Sequence, residues 1–508
     1  MQAITLWTAL AVAPASATLP PAAPPTTVNP QVTDSVTATS APTSPGAPTS
    51  SPASPAADAQ APAPAPDPTP AAATSPAAPP PAVVNPQITD ATAKPATAAP
   101  APAPSRFLPA SDPARMAEAP VDGSKAKWRP GIGIEVSSAD KRFSLQFNAF
   151  AQLQAIVRHT DEVPAVGMNP AVASHSDFNL VFRRARLIFG GNLFSPNIKY
   201  KIQLTASPIE LGYKDGKITR SPILDWYFTF DRLRDATFQV GQYKVPYNHQ
   251  RMLRVTGMQF VDRSAANNEF TMDRDIGFDI RSKDVGGLGH LRYYAGVYLG
   301  DGIALYGPSD FGLAYVGRLE VLPFGQYDDL EEADHDRSTK PRMLIGGAFA
   351  YIDKDPHDQH GFGGQIPADG GKTSTLNATA DLNFRFAGLS IESAFFWRKA
   401  TKRIGGTNVD AMGNPIQAVA PRNGLAYFVQ AGYLLPRLPL ELGARWGQIK
   451  AQGDITKTSL LDQNELGGVF NYYFARHWVK LQLDYLRFWN TEIRQGTDQV
   501  RLQLQAMF

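Results

Sequence analysis

The sequence predicts an all-β fold, a transmembrane antiparallel β-barrel of about 16 strands preceded by a disordered Pro/Ala-rich N-terminal segment. Three observations support this prediction. Apolar and charged residues alternate strictly in segments such as 197–207, short and long connections alternate between these segments, and the chain stops on Phe508 after an alternating strand. A closed sheet with lipid outside and water inside suits both faces of such strands.

The composition divides the chain at about residue 125. Of the 44 prolines, 28 lie in residues 1–125, among long runs of Ala, Thr and Ser. Such a segment cannot bury enough apolar surface to fold. We therefore predict a disordered periplasmic linker over 18–125 and an outer-membrane barrel over 126–508. No window reaches about 18 apolar residues, so no transmembrane helix is expected.

A secretory signal peptide is predicted at residues 1–17. An apolar run from Ile4 to Ala13 is followed by Ala15-Ser16-Ala17, which fits an A-x-A cleavage site, although the usual basic n-region is missing. The alternative is an Ala-rich start of the disordered tail.

The linker contains an internal repeat. The sequence Val-Asn-Pro-Gln occurs at residues 28–31 and again at 84–87. It is explained either by duplication within low-complexity sequence or by a pair of docking motifs for a cell-wall or periplasmic partner. A Pro-rich spacer of about 3.1 Å per residue could span a wide periplasm.

The barrel prediction depends most on residues 178–207, which form two strands around a Ser195-Pro196-Asn197 turn. In the second strand, Lys199 and Lys201 share a face with Gln203 and Thr205, opposite an apolar face. In the first strand, strict alternation predicts that Phe182, Arg184 and Arg186 share the polar face. Four cations on one face need water or partners, so this face should line the lumen.

Sixteen alternating segments are predicted. They are 143–157, 178–193, 197–207, 223–230, 236–243, 276–282, 290–299, 311–321, 342–352, 375–386, 389–398, 424–435, 439–449, 464–474, 477–488 and 499–508. Short turns at one end and long loops at the other are typical of outer-membrane barrels. Residues 322–341 do not fit, because they are long where a short turn is expected. The stretch from Gly131 to Val136 is a candidate extra strand before the barrel.

The predicted lumen face carries more cations than anions. The cations are Arg184, Arg186, Lys199, Lys201, Arg281, Arg292, Arg318, Arg385, Arg398, Arg445, Lys480 and Arg501. The anions are Asp225, Asp279, Glu320, Asp381, Glu392, Glu441, Glu465 and Asp484. Arg and Lys lining a pore favour anions. The alternative is that these charges pair with one another and only hold water.

The longest connection, residues 244–275, is predicted to fold into the lumen. It contains apolar residues such as Met252, Leu253 and Phe260, which would be exposed if the loop stayed outside. It also contains Lys244, Arg251, Arg254, Arg263 and Arg274. A contact between subunits is the alternative role.

Several motifs in residues 178–302 resemble the phosphate-selective porin O and P family. They are Phe182-Arg183-Arg184-Ala185-Arg186-Leu187, Tyr200-Lys201-Ile202-Gln203, Gly241-Gln242-Tyr243-Lys244-Val245-Pro246-Tyr247, Phe260-Val261-Asp262-Arg263-Ser264, Arg274-Asp275-Ile276-Gly277 and Tyr294-Ala295-Gly296-Val297-Tyr298-Leu299-Gly300-Asp301-Gly302. The resemblance is loose but compatible from there to Phe508. It does not include the Pro-rich linker.

The resemblance implies a 16-stranded, trimeric porin in the outer membrane of a Gram-negative bacterium, in contact with lipid and lipopolysaccharide. It implies passage of small anions, including phosphate or polyphosphate. Phosphate-binding members use a ladder of arginines and a lysine cluster at the constriction. The residues proposed to line the pore or bind anions are Arg184, Arg186, Lys199, Lys201, Lys244, Arg251, Arg254, Arg263, Arg274 and Arg281.

Other functional classes find no support in the sequence. There is no G-x-S-x-G motif and no Cys, so neither a hydrolase elbow nor a thiolate metal site is expected. We expect no enzyme activity, cofactor, metal or nucleic-acid partner. The alternatives to an anion-leaning porin are a non-selective general porin, or a barrel that mainly anchors the Pro-rich arm.

Overall fold

The computed structural model describes the chain from residue 126 to 508. Within this range the residues not described are 130–132, 164–172, 215–216, 304–311, 328–330, 361–363, 365, 408, 410–412, 414, 417, 455–456 and 491–494. The predicted signal peptide, the linker and its repeats lie outside the described residues.

Sixteen antiparallel strands form the wall of a closed barrel, as the alternating pattern predicted. They are β1 (Ser144–Thr160), β2 (His175–Leu193), β3 (Ser195–Thr205), β4 (Ile223–Leu233), β5 (Ala236–Lys244), β6 (Arg274–Ser282), β7 (Leu291–Tyr298), β8 (Ala314–Val321), β9 (Arg342–Asp355), β10 (Lys372–Phe386), β11 (Leu389–Arg403), β12 (Gly424–Leu434), β13 (Leu440–Ala451), β14 (Gln463–Ala475), β15 (Val479–Trp489) and β16 (Gly496–Met507). Each pairs with its neighbours in sequence, and β16 closes the barrel on β1 from Thr497↔Thr160 to Met507↔Phe150.

The last strand shows how the wall is oriented. Val500, Leu502 and Leu504 are 43%, 44% and 45% exposed, whereas Arg501 is 2% and Gln503 is 0% exposed. A water-soluble sheet would bury the aliphatic face instead. The apolar face therefore points outward, toward the hydrocarbon of a membrane, and the polar face points into the barrel.

A short hairpin precedes the barrel. Its strands are Ala126–Arg129 and Gly133–Ser137, and the second pairs with the start of β1 through Ile134↔Phe147. This second strand agrees with the extra strand suggested by the stretch from Gly131 to Val136. The first strand has no clear alternation and was not expected.

A β-bulge in β2 corrects the prediction for Phe182. Gln152 pairs with Arg184 and the next residue, Leu153, pairs with Phe182, so Arg183 is an additional residue in the strand. Because of this insertion Phe182 lies on the outer face, 55% exposed, while Arg183 and Arg184 are both buried inside. Strict alternation had placed Phe182 inside and overlooked Arg183.

The connections contain little regular structure. The two-residue strands Tyr213–Lys214 and Lys217–Ile218 lie after β3. The helices of the described residues are His249–Met252, Val255–Gly257, Ala265–Phe270 and Val285–Gly287. None of these helices has the length and apolar character needed to cross a bilayer.

Candidate functional site

The connection between β5 and β6, which we call the lumen loop, comprises residues 245–273. The Val245 N–H donates to the Asp273 carbonyl (3.0 Å), so the loop leaves and rejoins the wall at adjacent positions. Lys244, Arg274 and Asp275, predicted to belong to this loop, are strand residues.

Most apolar residues of the lumen loop are buried within the barrel. Phe260 is 0%, Leu253 1% and Phe270 2% exposed. The ring of Phe270 stacks on Phe396 of β11 with a centroid distance of 6.1 Å. A mobile external lid would leave these side chains in water, so the loop fills part of the lumen.

Backbone groups of the lumen loop are bound by side chains of β14 and β15. The N–H of Val261 donates to Asp484 of β15 (3.1 Å), and the N–H of Ala265 donates to Glu465 of β14 (2.7 Å). Gly432 of β12 allows the loop to approach closely, since a Cβ there would lie 2.2 Å from Nε2 of Gln259. These contacts hold the loop against β12–β15.

The unexpectedly long connection 322–341 meets the lumen loop inside the barrel. The Glu332 N–H donates to the Gly257 carbonyl (2.8 Å), and the Glu332 carboxylate accepts from the Gln259 N–H (2.6 Å). This explains why the segment is long at an end where short turns are expected. Two connections from opposite ends of the barrel thus fill the lumen together.

Asp262 connects the lumen loop to three arginines of the wall. Its carboxylate lies 2.6 Å from Nη2 of Arg184, 3.2 Å from Nη1 of Arg501 and 3.8 Å from Nε of Arg183. Burial alone would raise the pKa of Asp262, but the three guanidinium groups outweigh it and hold the pKa well below its usual value. The carboxylate therefore stays ionised and fixes the loop to β2 and β16.

Charges of other strands inside the barrel are also paired. Arg318 binds both carboxylate oxygens of Asp381 at 2.7 and 2.8 Å. Arg445 lies 3.1 Å from Glu465. Cation and anion compensate each other at these positions, as the alternative interpretation of the sequence proposed.

The lumen on the side of β1–β8 contains a cavity of about 960 Å³, which we call the basic cavity. Its lining includes residues at the short-turn end, such as Ser144 and Asn192, and residues of the lumen loop, such as Val255 and Thr256. Its cationic lining residues are Arg186, Lys199, Lys201, Lys244, Arg254, Arg274, Arg281, Lys283 and Arg292. Its acidic lining residues are Glu135, Asp225 and Glu320. Nine cations face three carboxylates.

Partial pairing reduces this excess without removing it. Asp225 serves two cations, Arg274 at 2.5 Å and Lys201 at 3.6 Å. The ammonium group of Lys244 donates to the Leu253 carbonyl (2.8 Å), which carries no formal charge. Carboxylates that do not line the cavity pair with three more of these cations: Asp231 with Lys199, Asp279 with Arg281 and Glu210 with Arg186. The positive excess of the basic cavity is therefore smaller than its lining residues alone indicate.

Seven of the ten predicted pore residues line the basic cavity. These are Arg186, Lys199, Lys201, Lys244, Arg254, Arg274 and Arg281. The other three make interior contacts. Arg184 binds Asp262, Arg251 binds Asp273, and Arg263 donates to backbone carbonyls of the lumen loop, including that of Gln250 at 2.7 Å.

Sequence reasoning missed Lys283 as a lining cation. It lies in the short connection after β6, whereas the cations considered were those of the predicted strands and of residues 244–275. The available signal was that Lys283 directly follows Ser282, the buried last residue of β6.

The family model for the phosphate-selective porins O and P matches residues 163–424. This range spans more than half of the chain. The chain belongs to this porin family. Proteins of this family are channels of the Gram-negative outer membrane, so this porin is a channel for passive diffusion.

Solved structures of other outer-membrane proteins are similar to this porin. The channel DcaP of Acinetobacter baumannii is 12% identical, with 73% of this chain and 99% of that chain covered and a TM-score of 0.44. OprB of Pseudomonas putida is 10% identical, with 73% and 95% covered and a TM-score of 0.42. A trimer form of OmpT from Vibrio cholerae is 10% identical, with 72% and 99% covered and a TM-score of 0.39. No curated protein matches the chain.

Proposed function

We propose that passive diffusion through this porin favours small anions, phosphate among them. The observation that carries the proposal is the lining of the basic cavity, nine cations against three carboxylates. An excess of fixed positive charge on a narrow aqueous path raises the local concentration of anions and repels cations.

The position of the basic cavity supports the same proposal. In outer-membrane barrels the short turns are periplasmic, so the cavity would form the periplasmic half of the path. The lumen loop narrows the path beyond it. Ions that cross this porin would therefore pass the electropositive lining.

A non-selective general porin is the second candidate. The observation that favours it is the pairing of lumen charges between strands, such as Arg318 with Asp381 and Arg445 with Glu465. Paired charges hold water but give little net field. The two candidates differ in the sign and size of the measured selectivity.

Family membership also supports the proposal of a homotrimer in contact with lipid and lipopolysaccharide. The described chain begins at the short-turn end, with the hairpin from Ala126 paired to β1. We therefore propose that the N-terminal arm lies in the periplasm, where a cell-wall partner could bind it.

Reversing two lysines of the basic cavity tests the selectivity. Lys199→Glu combined with Lys201→Glu is expected to lower the chloride-over-potassium permeability ratio, because each reversal changes the charge along the path by two units. The lysine side chains are 55% and 35% exposed, so the barrel should fold. The measurement is the reversal potential in planar bilayers with asymmetric KCl.

The control combines Lys127→Glu with Lys340→Glu. Both lysines are exposed and neither lines the basic cavity. This variant should keep the wild-type reversal potential. An unchanged potential in the Lys199 and Lys201 variant would show that these residues are not on the ion path.

A further inference from the structure

The connection after β3 places one carboxylate on an arginine of the basic cavity. Glu210 is 6% exposed and accepts from Nε of Arg186 at 2.9 Å, while Nη2 of Arg186 donates to its other oxygen. Thr205 adds a hydroxyl donor at 2.7 Å, and Nε of Arg184 lies 3.9 Å away. These groups surround the single carboxylate of Glu210 with donors.

The donors of this site do not require a protein carboxylate. A guanidinium fork with a hydroxyl beside it can also bind a free carboxylate or a phosphate group, because each presents two oxygens that match the fork. Glu210 thus occupies a position that a small permeating anion could take.

Glu210 differs from the lumen carboxylates of the wall because it does not lie in a strand. Asp225 is fixed in β4, but Glu210 lies in the connection between β3 and β4. That connection is attached at its base, where the Ala206 N–H donates to the Ala185 carbonyl (2.8 Å) and Oγ of Ser207 donates to the Phe182 carbonyl (2.8 Å). Moving the Glu210 side chain away from Arg186 would break its bonds to Arg186 and Thr205 but neither hydrogen bond of this base.

Arg186 lies between the basic cavity and Glu210. Its side chain lines the cavity, whereas Glu210 does not. An anion in the cavity therefore meets a guanidinium group whose Nε and Nη2 atoms are already bound to Glu210.

We propose that Glu210 is a tethered blocking group: its carboxylate occupies the oxyanion site of Arg184, Arg186 and Thr205, and permeating oxyanions displace it. This inference rests on the proposed anion channel and adds a residue that sets its affinity for oxyanions. Displacement of Glu210 makes Arg186 available, and return of Glu210 releases the bound anion. Competition from Glu210 thus prevents a permeating anion from staying bound to Arg186.

The block is expected to persist at ordinary pH. Burial alone would raise the pKa of Glu210, but Arg186 outweighs burial and lowers the pKa to about 2 from 4.5. A carboxyl with a lowered pKa keeps its ion pair above its ordinary pKa and loses it only as the pH falls from about 4.5 toward 2. Acidification to pH 5 should therefore not mimic removal of Glu210.

The test is block of chloride current by inorganic phosphate in planar bilayers. Glu210→Gln should lower the half-blocking phosphate concentration about tenfold, since a charge-assisted competitor is lost. Glu162→Gln, an exposed carboxylate in another long loop, is the control and should behave as wild type. A half-blocking concentration unchanged by Glu210→Gln would overturn the inference.

A cysteine variant checks that the negative charge of Glu210 is what competes with phosphate. The chain has no Cys, so Glu210→Cys introduces a single thiol. Attachment of a negatively charged sulfonatoethyl group should raise the half-blocking phosphate concentration back toward the wild-type value. Attachment of a trimethylammonium group should not. Equal effects of the two groups would contradict the inference, as would failure of both Glu210 variants to fold, because Glu210 would then be structural.

The same recordings separate this inference from the proposed function. An anion-selective wild type whose phosphate block is insensitive to Glu210 would refute only the blocking role. A wild type that prefers potassium and is not blocked by phosphate would refute the proposed function itself.

Discussion

Replacing residues 246–272 with a four-residue Gly-Ser turn is expected to raise the single-channel conductance several-fold. These residues bring buried apolar side chains such as Phe260 and Phe270 into the lumen. A 16-stranded barrel without such a plug encloses an aqueous channel. Because Val245 and Asp273 are hydrogen-bonded neighbours, a short turn can join β5 and β6 without strain.

The measurement is conductance in planar bilayers at high salt, with folding checked by heat-dependent gel mobility. A matched control replaces the exposed Gly406 with Ser, which leaves the lumen unchanged, because a Cβ there meets nothing within 4 Å. A folded replacement variant with wild-type conductance would mean that the lumen loop does not limit the path.

Asp262→Asn is expected to release the lumen loop from the wall and to destabilise the protein. The change removes the carboxylate shared by Arg183, Arg184 and Arg501, and it leaves these buried cations without that partner. Breaking a buried ion pair on one side typically costs about 3–5 kcal/mol. The thermal unfolding temperature should fall, and trypsin should cleave the loop after Arg254 or Arg263.

Asp454→Asn is the control for this change. Asp454 and its partner Lys457 are 61% and 71% exposed and lie 3.7 Å apart, so loss of the pair should be nearly neutral. If Asp262→Asn resisted trypsin as well as the Asp454 variant does, the anchoring role assigned to Asp262 would be wrong.

The wall could be predicted from the sequence because its determinants are local. Each strand alternates with a period of two and ends at turn residues. The last strand was therefore predicted over 499–508 and lies at Gly496–Met507. The inward position of cations such as Lys201 and Arg501 follows from the same alternation.

Local irregularities were harder to predict. The bulge at Arg183 turns Phe182 outward, yet the surrounding residues give no signal that distinguishes an inserted residue from continued alternation. The length of 322–341 marked it as unusual. Its course into the lumen depends on the contact between Glu332 and Gly257, which are distant in sequence.

Pairing of charges inside the barrel could not be predicted for the same reason. The sequence shows which residues are cationic, but not that Arg184 meets Asp262 while the lining of the basic cavity keeps an excess of cations. Glu210 lies outside the predicted strands and outside residues 244–275, the only parts of the chain whose charges were assigned to the lumen from the sequence. Its role depends on a loop turning back onto β2, which no local pattern indicates.

The reversal potential of the unmodified porin in asymmetric KCl tests the account most directly. An excess of lysine and arginine along the aqueous path predicts a potential displaced toward the equilibrium potential of chloride, with the displacement shrinking as salt screens the lining. A potential displaced toward that of potassium would contradict the central claim that the basic cavity lies on the path and selects anions.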